Sequence, residues 1–197
     1  MLRPIFLIAL LFSANMCSAQ NSEEELDSIA KADQLFALLF EASMTEDLDH
    51  ALTLYNQGLE IDSTSFEVYS GKIVIYQKKK DFEKALTEVQ KLIRLHPTDP
   101  NSYLIYGRLL DCLNDRKLAN EQYTKGLDHC QIEVARPNSI QLIQKVTLLV
   151  LLDREKEAHG LLDKIVSDYP DDILVELLVK ELYDFDRTKL LKEGCPE

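Results

Sequence analysis

The chain has 197 residues, enough apolar side chains (46%) for a substantial core, and 34 acidic against 22 basic residues, a formal charge of −12. An acidic surface repels phosphate backbones and anionic headgroups, which argues against nucleic acid and polyanionic membranes as partners. Six glycines and six prolines are few, and with abundant Leu, Ala, Glu, Lys and Asp they favour helix over sheet.

In chain order, residues 1–19 read as a secretory signal. Met1 to Pro4 carries Arg3, Ile5 to Phe12 is an unbroken apolar run, and Cys17-Ser18-Ala19 puts small side chains at −3 and −1 of a cut before Gln20. The apolar run is too short to span a bilayer as a helix. Cleavage after Ala19 implies a secreted or periplasmic protein. The alternative is lipidation of Cys17, giving a membrane-anchored lipoprotein, although Met16 and Ala14 are not the residues such a signal favours. Residues 20–31 form an acidic lead-in (Glu23, Glu24, Glu25, Asp27), either helical from Ser22 or solvated.

A period of 34 residues follows. Ala51, Ala85 and Ala119 are 34 apart, and Ala158 comes 39 after the third. Sixteen residues before these alanines stand Leu35, Tyr69, Tyr103 and Leu142. Four after them stand Tyr55, Val89, Tyr123 and Leu162, on the same helix face. Seven after come Gly58, Leu92, Gly126 and Ile165, and Pro97 and Pro170 close two of the units. A helix pair of this size cannot bury its apolar face alone, so such pairs stack and share a core.

This register resembles the tetratricopeptide repeat family, whose unit is two antiparallel helices. The resemblance covers residues 32–172. Repeat two matches the family pattern with Tyr69, Tyr76, Ala85, Val89, Leu92 and Pro97, although Ile73 occupies a position where the family has a small residue. Repeat three matches with Tyr103, Gly107, Leu110, Ala119, Tyr123 and Gly126 but lacks the proline. The resemblance implies an all-α, right-handed solenoid. Its units are residues 32–65, 66–99, 100–133 and 139–172, with an insertion at 134–138 and a capping helix and tail at 173–197.

Asp47, Asp81 and Asp115 precede three of the alanines by four residues, where each can cap a second helix. The fourth repeat has Arg154 there. The insertion contains Arg136-Pro137-Asn138-Ser139, a helix stop followed by cap residues. In 173–185 the charges Glu176, Lys180 and Asp184 form one narrow stripe, leaving much apolar surface for a terminal helix. Either residues 188–193 fold back over that surface or another chain, including a second copy, covers it.

Catalytic and metal chemistry find little support. No HExxH, nucleophile elbow or glycine-rich phosphate loop occurs, and Asp128-His129-Cys130 is the one dense group of ligand types. Adjacent helical residues point apart, so no metal, cofactor or catalytic residue is assigned. After signal cleavage Cys112, Cys130 and Cys195 remain, an odd count that predicts at least one free thiol. Cys112 and Cys130 fall at opposite ends of a hairpin, roughly 20 Å apart and beyond disulfide reach. Disulfides are not expected to hold the fold: Cys112 reads as a packing residue and Cys195 as the more reactive thiol.

In the family the first helix of each repeat lines a concave groove. The resemblance then implies a partner-binding surface from Phe36, Phe40 and Met44 in repeat one and Val74 and Lys78 in repeat two. Repeat three contributes Leu104, Ile105 and Arg108, and repeat four Ile143 and Thr147. Arg108 is its central cation. The first three could instead be covered by the segment 22–32. Family members that clamp the acidic C-terminus of heat-shock chaperones carry Lys and Asn where this chain has Phe36 and Phe40, so that clamp is absent. The expected function is a non-catalytic exported adaptor binding a peptide or helix of another protein. The alternative is a structural component of a cell-envelope complex.

Overall fold

The computed structural model describes residues 25–130 and 139–192. The predicted signal, the insertion at 134–138, Ser22 and Cys195 lie outside the described residues. Among the described residues every regular element is an α-helix: α1 (residues 25–44), α2 (Leu48–Ile61), α3 (Phe66–Lys78), α4 (Phe82–Leu95), α5 (Pro100–Cys112), α6 (Arg116–His129), α7 (Ser139–Leu151), α8 (Glu155–Asp168), α9 (Ile173–Tyr183) and α10 (Arg187–Lys192).

Turn chemistry sets the hairpins. Lys80, Asn114 and Asp153 adopt left-handed φ values of 58°, 61° and 58°. The next residue's N–H then donates to the carbonyl five residues back: Asp81 to Tyr76, Asp115 to Leu110 and Arg154 to Leu149, each at 2.9 Å. This closes the last turn of the first helix and satisfies an orphan carbonyl. The same Asp81 and Asp115 then cap the next helix, accepting from the N–H of Lys84 and Leu118. Asp47 caps α2 likewise, accepting from Asp49 and His50. Arg154 makes no capping bond. Its guanidinium instead donates to both Glu157 oxygens, at 2.7 and 2.6 Å.

The chain divides into two compact units, Met1–Val68 and Tyr69–Glu197. In the first, residues 25–31 of the acidic lead-in belong to α1. Ala51 is fully buried, and a Cβ added at Gly58 would meet Val68 at 3.0 Å and Leu35 at 3.2 Å. The small residue is thus what allows the helices to close.

In the second unit α4 to α9 pack neighbour to neighbour, and α5, α7 and α9 also touch in sequence. Ala85, Ala119 and Ala158 are fully buried, and their partners Val89, Tyr123 and Leu162 are equally so. One continuous core runs from Leu110 through α6, α7 and α8 to Val179, Leu182 and Leu190. Val175, Leu178, Val179 and Leu182 form the inward stripe of α9, at the spacing a helix requires.

Two expectations need correction here. The folded-back segment, α10, lies on α7 and α5, because Leu190 finds its apolar pocket there. Ile173, Leu174 and Leu177 of α9 stay exposed. Cys112 is not a bare packing residue either: it is disulfide-bonded, while Cys130 is a free thiol.

A buried charge pair joins α3 to α4. Lys72 Nζ lies 3.3 Å from Glu88 Oε1, with side chains 7% and 8% exposed, and Lys91 reaches the same carboxylate at 3.2 Å. Replacing Glu88 by alanine leaves Lys72 buried without its anion and is expected to cost about 3–5 kcal/mol. The double variant Lys72→Met/Glu88→Leu should recover most of that loss, since an apolar pair of similar volume replaces a buried ion pair at little cost. Urea unfolding midpoints of the parent chain and the two variants check this.

Candidate functional site

The residues assigned from the sequence to the binding surface fall into separate groups. In the first unit Phe36, Phe40 and Met44 recur every four residues along α1 and are 70%, 60% and 70% exposed. The Phe36 and Phe40 rings stack with centroids 6.5 Å apart. Residues 25–32 continue the same helix and so cannot fold back over this stripe. In the second unit Val74 and Lys78 lie one turn apart on an exposed face of α3.

The other five sit on α5 and α7. Leu104 packs partly against the core and Ile105 is half-buried; on α7, Ile143 is partly exposed and Thr147 is buried. Arg108 is half-buried and already engaged: its guanidinium donates to the Leu190 carbonyl of α10 at 2.9 Å. The cation selected from the sequence therefore holds the chain's own C-terminal helix.

One residue beyond the assigned set completes this cluster. Asp111, one turn after Arg108 less a residue, accepts from Arg187 of α10 through both oxygens, at 2.8 and 2.7 Å. The two side chains are 6% and 12% exposed. Tyr123 donates its hydroxyl to the same carboxylate at 2.8 Å, and the Arg187 guanidinium stands 5.9 Å from the Tyr123 ring centre. Nothing local in Arg187-Thr188-Lys189-Leu190 announces a partner 76 residues away.

Burial, and then the hydrogen bond to Asp111, push the Tyr123 hydroxyl pKa well above its ordinary 10.0. The protonated phenol is thus favoured in the folded state. Below pH 10 its contribution is intact. Above it the unfolded chain releases a proton that the folded chain keeps, so stability falls as pH rises. Alkaline titration followed by phenolate absorbance should show one tyrosine ionising only as helicity is lost. Cys130 is also desolvated, which pushes its thiol pKa up to about 11.

Metal ligation finds no geometry: no group of three His, Cys, Asp or Glu side chains that could hold an ion occurs among the described residues. His129 ends α6 and stacks on Tyr103, with ring centroids 5.4 Å apart. No helix among the described residues is long and apolar enough to cross a membrane.

No protein-family model matches the chain. Curated relatives do. It is 24% identical over 176 residues to Tetratricopeptide repeat protein 28 of Mus musculus, covering 87% of this chain and 7% of that protein. The Homo sapiens protein of the same name is 26% identical over 140 residues, covering 69% and 5%. Tetratricopeptide repeat protein 12 of Homo sapiens is 26% identical over 159 residues, covering 79% and 22%. The chain folds as an all-α helical repeat array, and these relatives are all tetratricopeptide repeat proteins. It spans less than a quarter of the length of each of these relatives. Within the array, the face built by α5 and α7 is the part that already seats a helix.

Proposed function

We propose that the chain is an exported protein–protein interaction module that takes a segment of a partner on the first helices of its repeats. The observation carrying this reading is the α5/α7 face. It combines apolar surface with a cation, Arg108, and an anion, Asp111, and holds a short helix through both, Arg108 on the Leu190 carbonyl and Asp111 on Arg187. Concave or grooved apolar surface with a few placed polar groups is where peptides and helices bind. The exposed Phe36, Phe40 and Met44 stripe on α1 supplies aromatic and thioether surface of the type enriched at interfaces.

Pull-down from the native source tests it. Arg108→Glu and Phe40→Ala are expected to weaken capture of the native partner severalfold while the helical circular-dichroism signal stays intact. Unchanged capture by both variants would move the site elsewhere. Export has its own test. Mass spectrometry of the mature chain should find Gln20 at the N-terminus, whereas an acylated Cys17 would favour an anchored envelope component.

A further inference from the structure

The α5/α7 face is occupied by α10, and each contact reads one feature of the occupant. Arg187 enters a guanidinium pocket. Asp111 accepts from it through both oxygens, at 2.8 and 2.7 Å, and the Tyr123 ring centre stands 5.9 Å from the guanidinium carbon. Leu190, three residues on, is buried in the shared core, and Leu191 packs partly against it. α10 ends at Lys192, so the Leu190 carbonyl is one of the last four, which have no partner within a helix. Arg108 donates to it at 2.9 Å. The face thus grips a helix by its final turn.

α10 has the charge for this seat and little else to keep it helical. It carries Arg187, Lys189 and Lys192 and no acid, on a chain whose net charge is −12. Its N-terminal cap is local, Asp186 accepting from the Lys189 N–H at 2.9 Å. Six residues are nonetheless too few for a helix to persist alone in water, so its order depends on the face beneath it. At the start of α7 the apolar surface continues past what α10 covers, with Ile140 and Ile143 left exposed.

We propose that the α5/α7 face is a seat for the final turn of a partner's basic helix, with an arginine in the Asp111–Tyr123 pocket three residues before a leucine whose carbonyl Arg108 caps, and that α10 holds the seat until such a helix displaces it. This rests on the α5/α7 face being the working surface. The charges choose the occupant: Asp111 is buried and takes a planar cation through both oxygens, which a guanidinium matches and an ammonium does not. Arg108 answers the negative end of the helix dipole. α10 competes through an effective concentration on the order of millimolar. A partner helix that repeats its contacts and also covers Ile140 and Ile143 gains apolar burial that α10 lacks, and so replaces it.

The test uses the full chain and, as probe, a fluorescein-labelled peptide of residues 184–192. The variant Arg187→Ala/Leu190→Ala removes the two side chains that seat α10 and leaves Arg108, Asp111 and Tyr123 in place. By fluorescence polarisation it should bind the peptide at least about tenfold more tightly than the parent chain does. Equal binding by the two chains overturns the proposal, as does absence of binding to the variant. Amide hydrogen exchange of the variant should show residues 187–192 deprotected with α5 and α7 still protected. Loss of protection across α5 and α7 makes α10 a structural strap and overturns the displacement. A second measurement needs no variant. Unlabelled peptide at millimolar concentration, added to the parent chain, should lower protection of the chain's own residues 187–192 about tenfold, and unchanged protection overturns the proposal. The peptide with Arg187→Lys should bind at least about tenfold more weakly, and equal affinity overturns the guanidinium pocket. None of these readouts needs the native partner, so failure of the pull-down and failure of the seat remain distinguishable.

Discussion

Replacing Asp111 by alanine is expected to destabilise the second unit by about 3–5 kcal/mol, the cost of leaving one member of a buried ion pair without the other. Its carboxylate answers the Arg187 guanidinium through both oxygens and the Tyr123 hydroxyl through one. Removing it orphans two donors at once. Arg187 has little water to turn to, because its side chain is 12% exposed and its Nη1 is buried without a hydrogen-bond partner. The reverse change, Arg187→Ala, should cost less, since Asp111 keeps the Tyr123 bond. A surface pair gives the contrast. Lys84 and Asp81 are closer, at 2.6 Å, yet Lys84 is mostly solvent-exposed, and Lys84→Ala should change the unfolding midpoint very little. Urea denaturation of the three variants, followed by circular dichroism, checks the order. Equal midpoints for Asp111→Ala and Lys84→Ala would remove the buried pair as a stabilising element.

Gly107→Ala is expected to cost toward the upper end of the ~1–3 kcal/mol typical of overpacking. A Cβ there would fall 2.3 Å from Tyr123 Cε1 and 2.5 Å from Cδ1. The Tyr123 ring is fully buried and its hydroxyl is tied to Asp111, so it has neither space nor freedom to swing away. Alanine gains about 1 kcal/mol of helix propensity over glycine, which offsets only part of the clash. Gly160 reverses the balance. It lies within α8 with nothing within 4 Å of an added Cβ. Gly160→Ala should therefore stabilise the chain by up to about 1 kcal/mol. Opposite shifts in thermal midpoint for the two substitutions are the expected result, and same-sign shifts would contradict it.

Much of the fold was legible because its cause is local or periodic. Buried alanine, partner and helix-closing residue recur in register, and capping aspartates signal second-helix starts through a hydrogen bond made within three residues. The left-handed turn residues were not singled out, since Lys80 gives no sign of a positive φ; the neighbouring helices impose it. Arg108 could be selected from its repeat position. Its ligand could not, because the Leu190 carbonyl belongs to a segment whose place depends on chain path rather than on residue type.

By itself the sequence determined that this chain makes helix pairs of period 34, where they turn, and which small residues let them touch. Those are consequences of short-range hydrogen bonding and of a steric pattern repeated in register. Only the tertiary structure decided what lies on the α5/α7 face. Burying Leu190 and pairing Arg187 with Asp111 stabilises α10 there, across 76 residues of intervening chain. The apolar face of α9, which the sequence also marked as uncovered, stays open at Ile173, Leu174 and Leu177, because α10 packs on α5 and α7 instead.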